Sequence, residues 1–567
     1  MLVAPSLSPQ RETFTQQQRS TAEKNRITKA MPSKKLVSSA KDGWMGFVRN
    51  PVYDMSLRTR PVSKLRFIPL DSWPDDINQG AAIMDGVYGF AGERRRLSNP
   101  WNQESKASEL WLKSAHSFSW LRGLRSLGSD EARIKARSLV NGWLKEYHHD
   151  YSGLSWRADI IGERLSSWIF FHNFFCASAN ESFKQRIYQD MQRQAIHLAR
   201  ILPGNTKGYP LLQGIKGLII SGLCIEGGES RLQLGIRLLR KELVSQFLAD
   251  GMHYSRNPYT QMEAVKLLID LRMAFSQARV EIPTILDRTL QSASQCLAFL
   301  CHGDGRLALF HGGTEGAQRF IQIALQKSGT KIKKNYRLGQ FHRLAVGDSV
   351  VMMDVGAMPA NKEIAHAAPL AFEFSHGRER LIVNCGGYSV NMGVKNADWQ
   401  KLLKCTKAHS TITLGNHNAI CRNARGSIYK PTTPEKEQLD GLVAEGSHDG
   451  YQHIFGTTHR RCLYLSQDGY DLRGEDRLIG QDNLNFIAHF HLHPSVEAQV
   501  EEEGKVMLRT ADGMEWEFIA NFSPVLLEKS AYFGYTGNKP KATKVITING
   551  VTESGETTIK WCLRRVA

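Results

Sequence analysis

The spacing of apolar residues divides the chain into two regions, and the first has the period of a helix. From Trp44 to about Leu325, apolar residues recur every three or four positions, which places them on one face of a helix. The segments between these stretches carry Gly, Pro, Asn and Asp, which are typical of turns. The pattern therefore predicts successive antiparallel helices in a helical array or toroid. The predicted helical windows are Glu109–Leu121, Glu131–Tyr147, Ile160–Phe175, Phe183–Ile201, Leu211–Ile225, Arg231–Leu248, Glu263–Ala274 and Ile282–Phe299.

The second region has the period of a strand. Beyond Tyr336, apolar and polar residues alternate, so each predicted strand has one apolar face. Turn pairs such as Asp468–Gly469 separate the strands, as in antiparallel hairpins. Helices followed by strands predict two domains rather than a doubly wound sheet, the second being an antiparallel β-sandwich. The predicted strand windows are Asp348–Val355, Leu370–Phe374, Glu379–Asn384, Ser410–Leu414, Arg461–Ser466, Ile487–Leu492 and Lys505–Arg509.

Composition changes this picture at the amino terminus. Residues 1–42 are rich in Gln, Ser, Thr, Lys and Arg and contain no apolar segment of signal-peptide length. They therefore predict a disordered basic tail, and the missing signal segment predicts a cytoplasmic protein. The expected domains are the tail at 1–42, the α/α toroid at 43–332 and the β-sandwich at 333–567.

Charge and cysteine content narrow the classes of function. The 567-residue chain has 73 Lys and Arg against 55 Asp and Glu, a net charge of +18, and such a surface attracts polyanions. Its longest apolar stretch, Gly217–Ile225, is half a membrane span, so no integral membrane segment is predicted. Nine cysteines without a Cys-x-x-Cys pair predict free thiols rather than disulfides or a zinc ribbon. The sequence has neither finger spacing nor an RNP-like strand, which argues against nucleic acid as a partner.

One turn concentrates residues that transfer protons. The segment 250–261 lies between two helical windows, and Pro258 stiffens it at the start of the next helix. His and Tyr are common acid and base groups, and loops on rigid scaffolds often carry function. The alternative is a helix-linking turn whose Asp and Asn cap their neighbours. The candidate catalytic residues of this turn are His253, Tyr254, Arg256, Asn257 and Tyr259.

Histidines of the strand region form a second candidate group. Neighbouring strands can bring His366, Asn384 and His409 together, and imidazole is the commonest ligand of zinc-like ions. These three residues are therefore candidate ligands of one divalent metal in the sandwich, the alternative being hydrogen-bonded histidines at a domain surface. The histidines at 489, 491 and 493 alternate on one strand and share a face. We interpret that face as polar and exposed, with metal binding as the alternative.

Two further segments of the sequence bear on ligand binding. Trp156, Arg157 and Arg164 form an aromatic and cationic patch that suits a sugar ring and its carboxylate. Capping and ion pairing, for example with Glu163, are the alternative. The Gly-rich segment Phe310–Gly316 lacks the Lys-Ser/Thr ending of a phosphate loop, so neither a nucleotide nor an organic cofactor is predicted.

Together and in this order, several segments resemble the heparinase II/III-like polysaccharide lyase family, particularly its signal-less alphaproteobacterial branch. The resemblance implies an incomplete α/α toroid joined to an antiparallel β-sandwich, with substrate in the cleft between them. It also implies β-elimination on a uronate-containing acidic polysaccharide. Because family enzymes that digest external glycans are exported, it gives the periplasm or cell envelope as an alternative location. The segments are Trp156–Trp168, Asp250–Asn257, Leu307–Gly316, His366–Gly386, Ala408–Leu414, Ser447–Gly450, His459–Leu465 and Leu472–Asp476.

The family's catalytic positions carry over unevenly. Characterised lyases read Ser-Pro-x-Tyr-His where this chain has Asn257-Pro258-Tyr259-Thr260-Gln261, so Thr260 occupies the position of the catalytic Tyr. Tyr259 and Tyr254 are the nearest phenols. The family's His-x-His is Ile364-Ala365-His366 here, which retains the second histidine alone.

Two other family groups are also substituted. The Asn-His pair that neutralises the substrate carboxylate falls near Tyr209–Pro210. That role is therefore vacant or filled by neighbouring residues. Asn384 replaces the Asp of the family's His-Asp-His metal triad, which removes a charge from the site. The candidate substrate-binding residues near the vacant pair are Asn205, Tyr209 and Gln213.

Three functions follow from these expectations. The first is a lyase with rearranged acid and base groups, and the second is a polysaccharide-binding or envelope-assembly protein that keeps the cleft without elimination. The third, a toroid glycoside hydrolase, requires two carboxylates about 5 to 10 Å apart across a cleft. The first two require the turn at 250–261 and the imidazoles of His366 and His409 to meet. The oligomeric state is not predicted. The carboxylates available to a hydrolase are Glu163, Asp250, Glu315 and Glu373.

Overall fold

The computed structural model describes most of the chain in two compact units, Met1–Leu57 and Arg58–Ala567. In the first unit the described residues form one helix, α1 (Pro51–Ser56). The predicted tail at 1–42 and the family position at Ile364 lie outside the described residues. The described residues are 51–58, 62–102, 107–333, 337–359, 365–387, 397–419, 435–438, 441–501, 504–535 and 540–566.

Helices dominate the second unit as far as Ser328, and all eight predicted helical windows are confirmed as helical. Two of these windows each contain two helices. In the first window, Phe118, with a left-handed φ of 58°, ends the first of its two helices. In the second window, Phe171 ends the first of its two helices. A two-stranded hairpin in this region, β1 (Val87–Phe90) and β2 (Glu93–Arg96), was not predicted. The helices are α2 Ile77–Met84, α3 Glu109–Ser117, α4 Leu121–Leu127, α5 Asp130–Tyr147, α6 Ala158–Phe170, α7 His172–Cys176, α8 Glu181–Ile201, α9 Tyr209–Cys224, α10 Glu229–Gln246, α11 Pro258–Gln277, α12 Thr284–Phe299, α13 Gln318–Ser328, and in the strand region α14 Ala397–Leu403 and α15 Gln452–Phe455.

The described part of the carboxyl-terminal region forms two antiparallel sheets, which confirms the predicted sandwich. One has eight strands in the order β14-β15-β16-β19-β12-β11-β10-β9, and the other runs β17-β18-β13-β7-β6-β5-β4-β3, with β8 also pairing with β13. The strands are β3 Arg337–Leu338, β4 Phe341–Val346, β5 Ser349–Asp354, β6 Phe372–His376, β7 Glu379–Val383, β8 Ile412–Leu414, β9 Glu435–Gln438, β10 Gly441–Tyr451, β11 Thr457–Ser466, β12 Asp471–Gly480, β13 Asn485–Leu492, β14 Glu497–Val500, β15 Val506–Arg509, β16 Glu515–Ala520, β17 Val525–Tyr532, β18 Lys541–Val551 and β19 Gly555–Arg565.

The core of the sandwich lies between the two sheets. Phe372 and Phe490 of the sheet that contains β6 and β13 pack with Trp516 and Trp561 of the other sheet in one apolar cluster. The alternation read from the sequence explains this, because inward-facing side chains of both sheets make one core.

A second apolar cluster joins the helical region to the sandwich. Met252, Phe299 and Phe310 of the helical region pack with Phe341 and Met352 of strands β4 and β5. We call this junction the seam. It places the turn at 250–261 against the sheet that carries β4 to β7.

Two chemical properties of the described residues bear on function. The eight cysteines among them are free thiols. In the same part of the chain, we find no helix whose length and apolar character would let it cross a membrane.

Candidate functional site

The structure brings the turn at 250–261 and the two candidate imidazoles together at the seam. The loop Leu307–Gly316, here called the seam loop, lies between them. The Asn257 side-chain amide donates to the carbonyl of His311 at 2.8 Å. A methyl group built on Gly312 would lie 3.0 Å from Nε2 of His366 and 3.8 Å from Nδ2 of Asn257. Nδ1 of His366 is in turn 3.2 Å from Nε2 of His409, so one line of polar groups crosses the seam.

Gly312 is required at this crossing for two reasons. Its φ of +79° is a left-handed conformation that other residues rarely adopt. A side chain there would also press on His366 from the loop. The Gly-rich segment that lacks a phosphate-loop signature is therefore a close-packed joint between the two regions.

Arg256 fastens the turn to the sandwich and does not face a substrate. Its buried guanidinium pairs with the buried carboxylate of Asp354 on β5 and donates to the carbonyls of Gly339, Gln340 and Ala357. Burial raises the pKa of Asp354, but the charges of Arg256 and His311 outweigh it and leave the pKa below its ordinary value. The structure corrects the prediction that Arg256 is a catalytic cation.

His253 is likewise a structural residue. Its ring is buried, with Nδ1 2.8 Å from Oγ of Ser255 and Nε2 3.2 Å from Oε1 of Gln246. Burial lowers the pKa of His253 to about 3, so the imidazole is neutral near pH 7. With both ring nitrogens engaged inside the turn, His253 has no route to a substrate, and its prediction as a catalytic group is corrected.

Asn257 has two structural roles. Its Oδ1 accepts from the amide of Thr260 at 3.0 Å and caps α11, as the alternative interpretation of the turn proposes. Its Nδ2 makes the contact with His311 described above. The side chain therefore links the start of a helix to the seam loop.

Tyr209 and Tyr259 both lie in the first turn of a helix. Tyr209 begins α9, and Tyr259 is the second residue of α11. Burial, followed by the nearby charges of Glu263 and Glu163 and the Tyr259 phenol, raises the pKa of Tyr209 well above its ordinary value. Tyr209 therefore keeps its proton near pH 7.

Tyr254 lies against the residue that precedes Tyr209. Its hydroxyl would be 2.6 Å from a methyl group built on Gly208, in the turn that precedes α9. Burial and the charge of Glu242 raise its pKa. Tyr254 thus packs against the turn before Tyr209.

Next to Tyr209 lies a charged group that the sequence analysis missed. Nζ of Lys216, on α9, is 2.9 Å from Glu163 and 3.7 Å from Asp270. Burial lowers the pKa of Lys216, but these two carboxylates raise it further, so that the lysine is a firmly charged cation. The signal in the sequence was a lone lysine within the apolar stretch of α9.

Trp156 and Arg164, predicted to bind substrate, are both buried among the helices. Trp156 Nε1 donates to the carbonyl of Tyr147 at 2.7 Å. Arg164 donates to the carbonyl of Ser155 at 2.8 Å and to the side chain of Gln194 at 2.8 Å. The prediction is corrected for both, because neither side chain reaches a surface.

The remaining candidate substrate-binding residues are more accessible. Arg157 pairs with Glu109 and Asp159, each at 3.0 Å, so the ion-pair alternative describes it. Asn205 is exposed in the turn before α9, and Gln213 is half-buried on that helix. These two amides lie on either side of Tyr209 in the sequence.

The predicted metal ligands do not fit a divalent cation. Asn384 is buried, and its amide is committed: Oδ1 accepts from the Ser410 amide at 3.0 Å and Nδ2 donates to Glu373 at 2.9 Å. His366 and His409 face each other directly. The described residues contain no group of three or more His, Cys, Asp or Glu arranged to hold a metal ion. We therefore derive no chemical step through a metal.

The strand face with three histidines is buried, so our interpretation of an exposed face is wrong. All three rings are shielded from solvent. His489 lies 3.1 Å from Oγ1 of Thr413, and His491 lies 2.9 Å from both Oγ of Ser530 and the carbonyl of Lys407. His493, just beyond β13, contacts Glu315 of the seam loop at 3.3 Å.

Three of the four carboxylates considered for a hydrolase hold the seam together. Asp250 accepts from the amide of Gly339 at 2.6 Å, and buried Glu373 accepts from His302 at 2.9 Å. Glu315 accepts from Arg306 at 2.8 Å. Glu163 alone of the four lies near Tyr209, which leaves it without an opposed partner from this set.

Two protein-family models match residues of this chain. Residues 120–326 match the model for the heparinase II/III N-terminus, and residues 329–562 match that for the heparinase II/III-like C-terminal domain. Among curated proteins, the chain is 27% identical to the FtsZ-localized protein C of Caulobacter vibrioides over 530 residues, covering 88% of this chain and 89% of that protein.

Solved structures give the same fold. Heparinase III matches with a TM-score of 0.70 and 13% identity, covering 93% of this chain and 89% of that one. A mutant of the heparan sulfate lyase HepC from Pedobacter heparinus matches with a TM-score of 0.63 and 15% identity, covering 93% and 88%. At these identities the likeness establishes the fold alone.

Proposed function

The chain belongs to the heparinase II/III-like family, and from that premise we propose that it is a lyase that cleaves a uronate-containing acidic polysaccharide by β-elimination. Tyr259 is the phenol proposed to transfer the proton. The observation that carries the proposal is the position of Tyr259 in the first turn of α11, two residues after Asn257. The amide of Asn257 reaches the seam loop at 2.8 Å, which supports a role for Tyr259 near the region where helices and sandwich meet.

The elimination needs one base and one acid, and in the proposal each role belongs to a different phenol. A base removes the proton at C5, the electron pair forms the C4=C5 double bond, the C4–O4 bond breaks, and O4 takes up a proton. In the proposal Tyr259 acts as a phenolate and takes the C5 proton, while Tyr209, whose raised pKa keeps it protonated, donates to O4. Tyr259 then releases the C5 proton to solvent and Tyr209 takes up a proton from solvent, which restores both phenols to their starting states.

Removal of the C5 proton also needs the uronate carboxylate to be neutralised, since the negative charge spreads onto it in the transition state. Asn205 and Gln213 are the amides proposed for that role. The net charge of +18 would concentrate the polyanion at the protein surface.

Substitution of the proposed phenol tests the lyase. The purified chain is incubated with a panel of uronate polysaccharides while the ultraviolet absorbance of the unsaturated product is followed. Tyr259→Phe should lower the rate by about 100-fold or more, because a positioned acid or base contributes at least that factor. Tyr470→Phe, a phenol exposed on the sandwich, is the control and should react as wild type. Unchanged turnover in Tyr259→Phe would remove that phenol from the mechanism.

A second function, acidic-polysaccharide binding in envelope assembly without elimination, is favoured by a specific observation. His253 and Arg256 are buried in structural bonds, Asn257 caps a helix, and Thr260 stands at the position of the family's catalytic Tyr. The name of the Caulobacter relative describes localisation with FtsZ and no enzymatic activity. A panel that produces no unsaturated product but is retained by the protein in affinity electrophoresis would select this function.

A further inference from the structure

A cavity of about 400 Å³ lies at the carboxyl end of the seam loop. It is bordered by Arg306 and Glu315 on the helical side, by the start of α13, and by Tyr535 beyond β17. Cavities of about 300 to 1,000 Å³ hold small ligands. Neither of the two functions proposed above uses these residues.

The negative charge of the acidic side chain in the cavity wall, Glu315, is compensated by the groups around it. Glu315 is 3% exposed. Its carboxylate accepts from the hydroxyl of Tyr532 and from Arg306 at 2.8 Å, and it lies 3.3 Å from Nε2 of His493. A carboxylate with these donors does not repel a second anion as a bare one would.

Tyr535 directs a proton donor into the same space. Its hydroxyl is 3.2 Å from Nε2 of His493. Nδ1 of that ring accepts from the amide of Ser495 at 3.3 Å, and Nε2 faces the Glu315 carboxylate. These two contacts fit a proton on Nε2, and a protonated Nε2 cannot accept from Tyr535. The phenol keeps its own proton for a ligand in the cavity.

Several of the other charges near the cavity are positive, and the carboxylate of Asp304, which also acts on Tyr535, is paired with Arg380 at 3.0 Å. Arg319 is exposed in the first turn of α13, and the side chain of Arg306 is 41% exposed. Nζ of Lys541 lies 4.2 Å from the centre of the Tyr535 ring. The cap residue Ala317 provides no side-chain acceptor for the first turn of α13, so free amides and the positive end of the helix dipole add to this field.

We propose that this cavity is a second binding site, which takes the oxyanion of a small organic anion. Arg319 and Arg306 supply the charge, and Tyr535 supplies a directed hydrogen bond. The oxyanion chemistry is common to carboxylate, sulfate and phosphate groups. The inference does not depend on elimination, because neither Tyr209 nor Tyr259 takes part.

Calorimetric titration of the full chain tests the site and distinguishes the three oxyanions. The probes are glucuronate, glucose 6-sulfate and glucose 6-phosphate, with glucose as the neutral control. At least one charged probe should bind, and glucose should not. Arg319→Gln should weaken the binding at least fivefold and Tyr535→Phe at least threefold. Arg240→Gln, which changes an exposed arginine of α10, should leave binding unchanged.

The outcomes are separable from those of the lyase proposal. Tyr259→Phe should bind the probe as wild type does, whether or not it abolishes elimination. The site is overturned if no charged probe binds or if Arg319→Gln binds as tightly as wild type. It is also overturned if Arg240→Gln weakens binding as much as Arg319→Gln, since the attraction would then be a general effect of net charge.

Discussion

At the scale of single residues, Arg256 joins chain segments that are distant in the sequence. Its guanidinium is buried against Asp354, and its other bonds reach the carbonyls of residues 339, 340 and 357. The sequence shows an arginine in a polar turn, where a catalytic cation is a natural interpretation. Its actual role depends on partners about 80 to 100 positions away, which no local pattern can indicate.

Removal of the Arg256 charge should destabilise the fold strongly. Arg256→Met removes the guanidinium from the buried Asp354 carboxylate, and breaking a buried ion pair from one side typically costs about 3–5 kcal/mol. The double variant Arg256→Met/Asp354→Asn should recover part of this loss, because the buried charge is then gone. Urea unfolding followed by circular dichroism measures both, with Arg240→Met as an exposed control. Equal stability of the single and double variants would contradict the role given to the ion pair.

The dependence on distant partners also explains why the prediction of a substrate-binding patch at Trp156 and Arg164 was wrong. Trp156 and Arg164 are residue types that bind sugars, yet both are buried and hydrogen-bonded among helices. Residue type is visible in the sequence, whereas burial depends on which helices pack around the residue. Lys216 shows the converse case, since its apolar neighbours in α9 were a local signal of burial.

At the scale of elements, Asn257 connects the start of α11 with the seam loop. Its two polar atoms perform separate tasks, a helix cap through Oδ1 and a bond to His311 through Nδ2. A variant whose side chain at position 257 keeps one of these bonds and loses the other should therefore have a free energy of unfolding between those of wild type and the alanine variant.

Asn257→Ala should lower the free energy of unfolding by about 2–3 kcal/mol, since an N-cap is worth about 1–2 kcal/mol and a hydrogen bond about 1 kcal/mol. Asn257→Ser should regain the cap alone. Asn180, the N-cap of α8 through a 2.9 Å bond from Phe183, provides the matched control. There Ser should restore nearly all of the stability lost with Ala. The assignment fails if Asn257→Ser is as unstable as Asn257→Ala in urea unfolding.

The elements themselves were largely predictable, because burial of one face imposes a period of 3.6 on helices and 2 on strands. Their interruptions were not. The breaks at Phe118 and Phe171 fall inside continuous apolar patterns, and the hairpin at Val87–Arg96 has a strand, Glu93–Arg96, that is wholly charged. Such details follow from tertiary packing rather than from local preference.

At the scale of the whole molecule, the seam decides which polar residues are available for chemistry. The sequence correctly placed the turn at 250–261 and the imidazoles of His366 and His409 in one region, because the order of segments resembled a known family. It did not show how many of their polar atoms hold the two regions together. The residues left for a substrate, Tyr209 and Tyr259, lie where helices begin.

Buried histidines should make the stability of the whole molecule depend on pH. Burial lowers the pKa of His116, His197, His253, His409 and His489 to about 3 each, from an ordinary value of 6.5. Between these values the unfolded chain binds more protons than the folded one, so stability rises with pH and is lost as pH falls from 6.5 towards 3. Each histidine contributes at most about 1.4 kcal/mol per pH unit.

Urea midpoints measured from pH 7 to pH 5 should therefore fall steadily. His489→Gln should reduce the slope, because one buried imidazole no longer titrates on unfolding. His453→Gln, at an exposed position on α15, should leave the slope unchanged. Carboxylates such as Asp354, whose folded pKa is also lowered, act in the same direction but below pH 4, so the range from pH 7 to pH 5 isolates the histidines. A flat profile over that range would mean that these imidazoles are not held neutral in the fold.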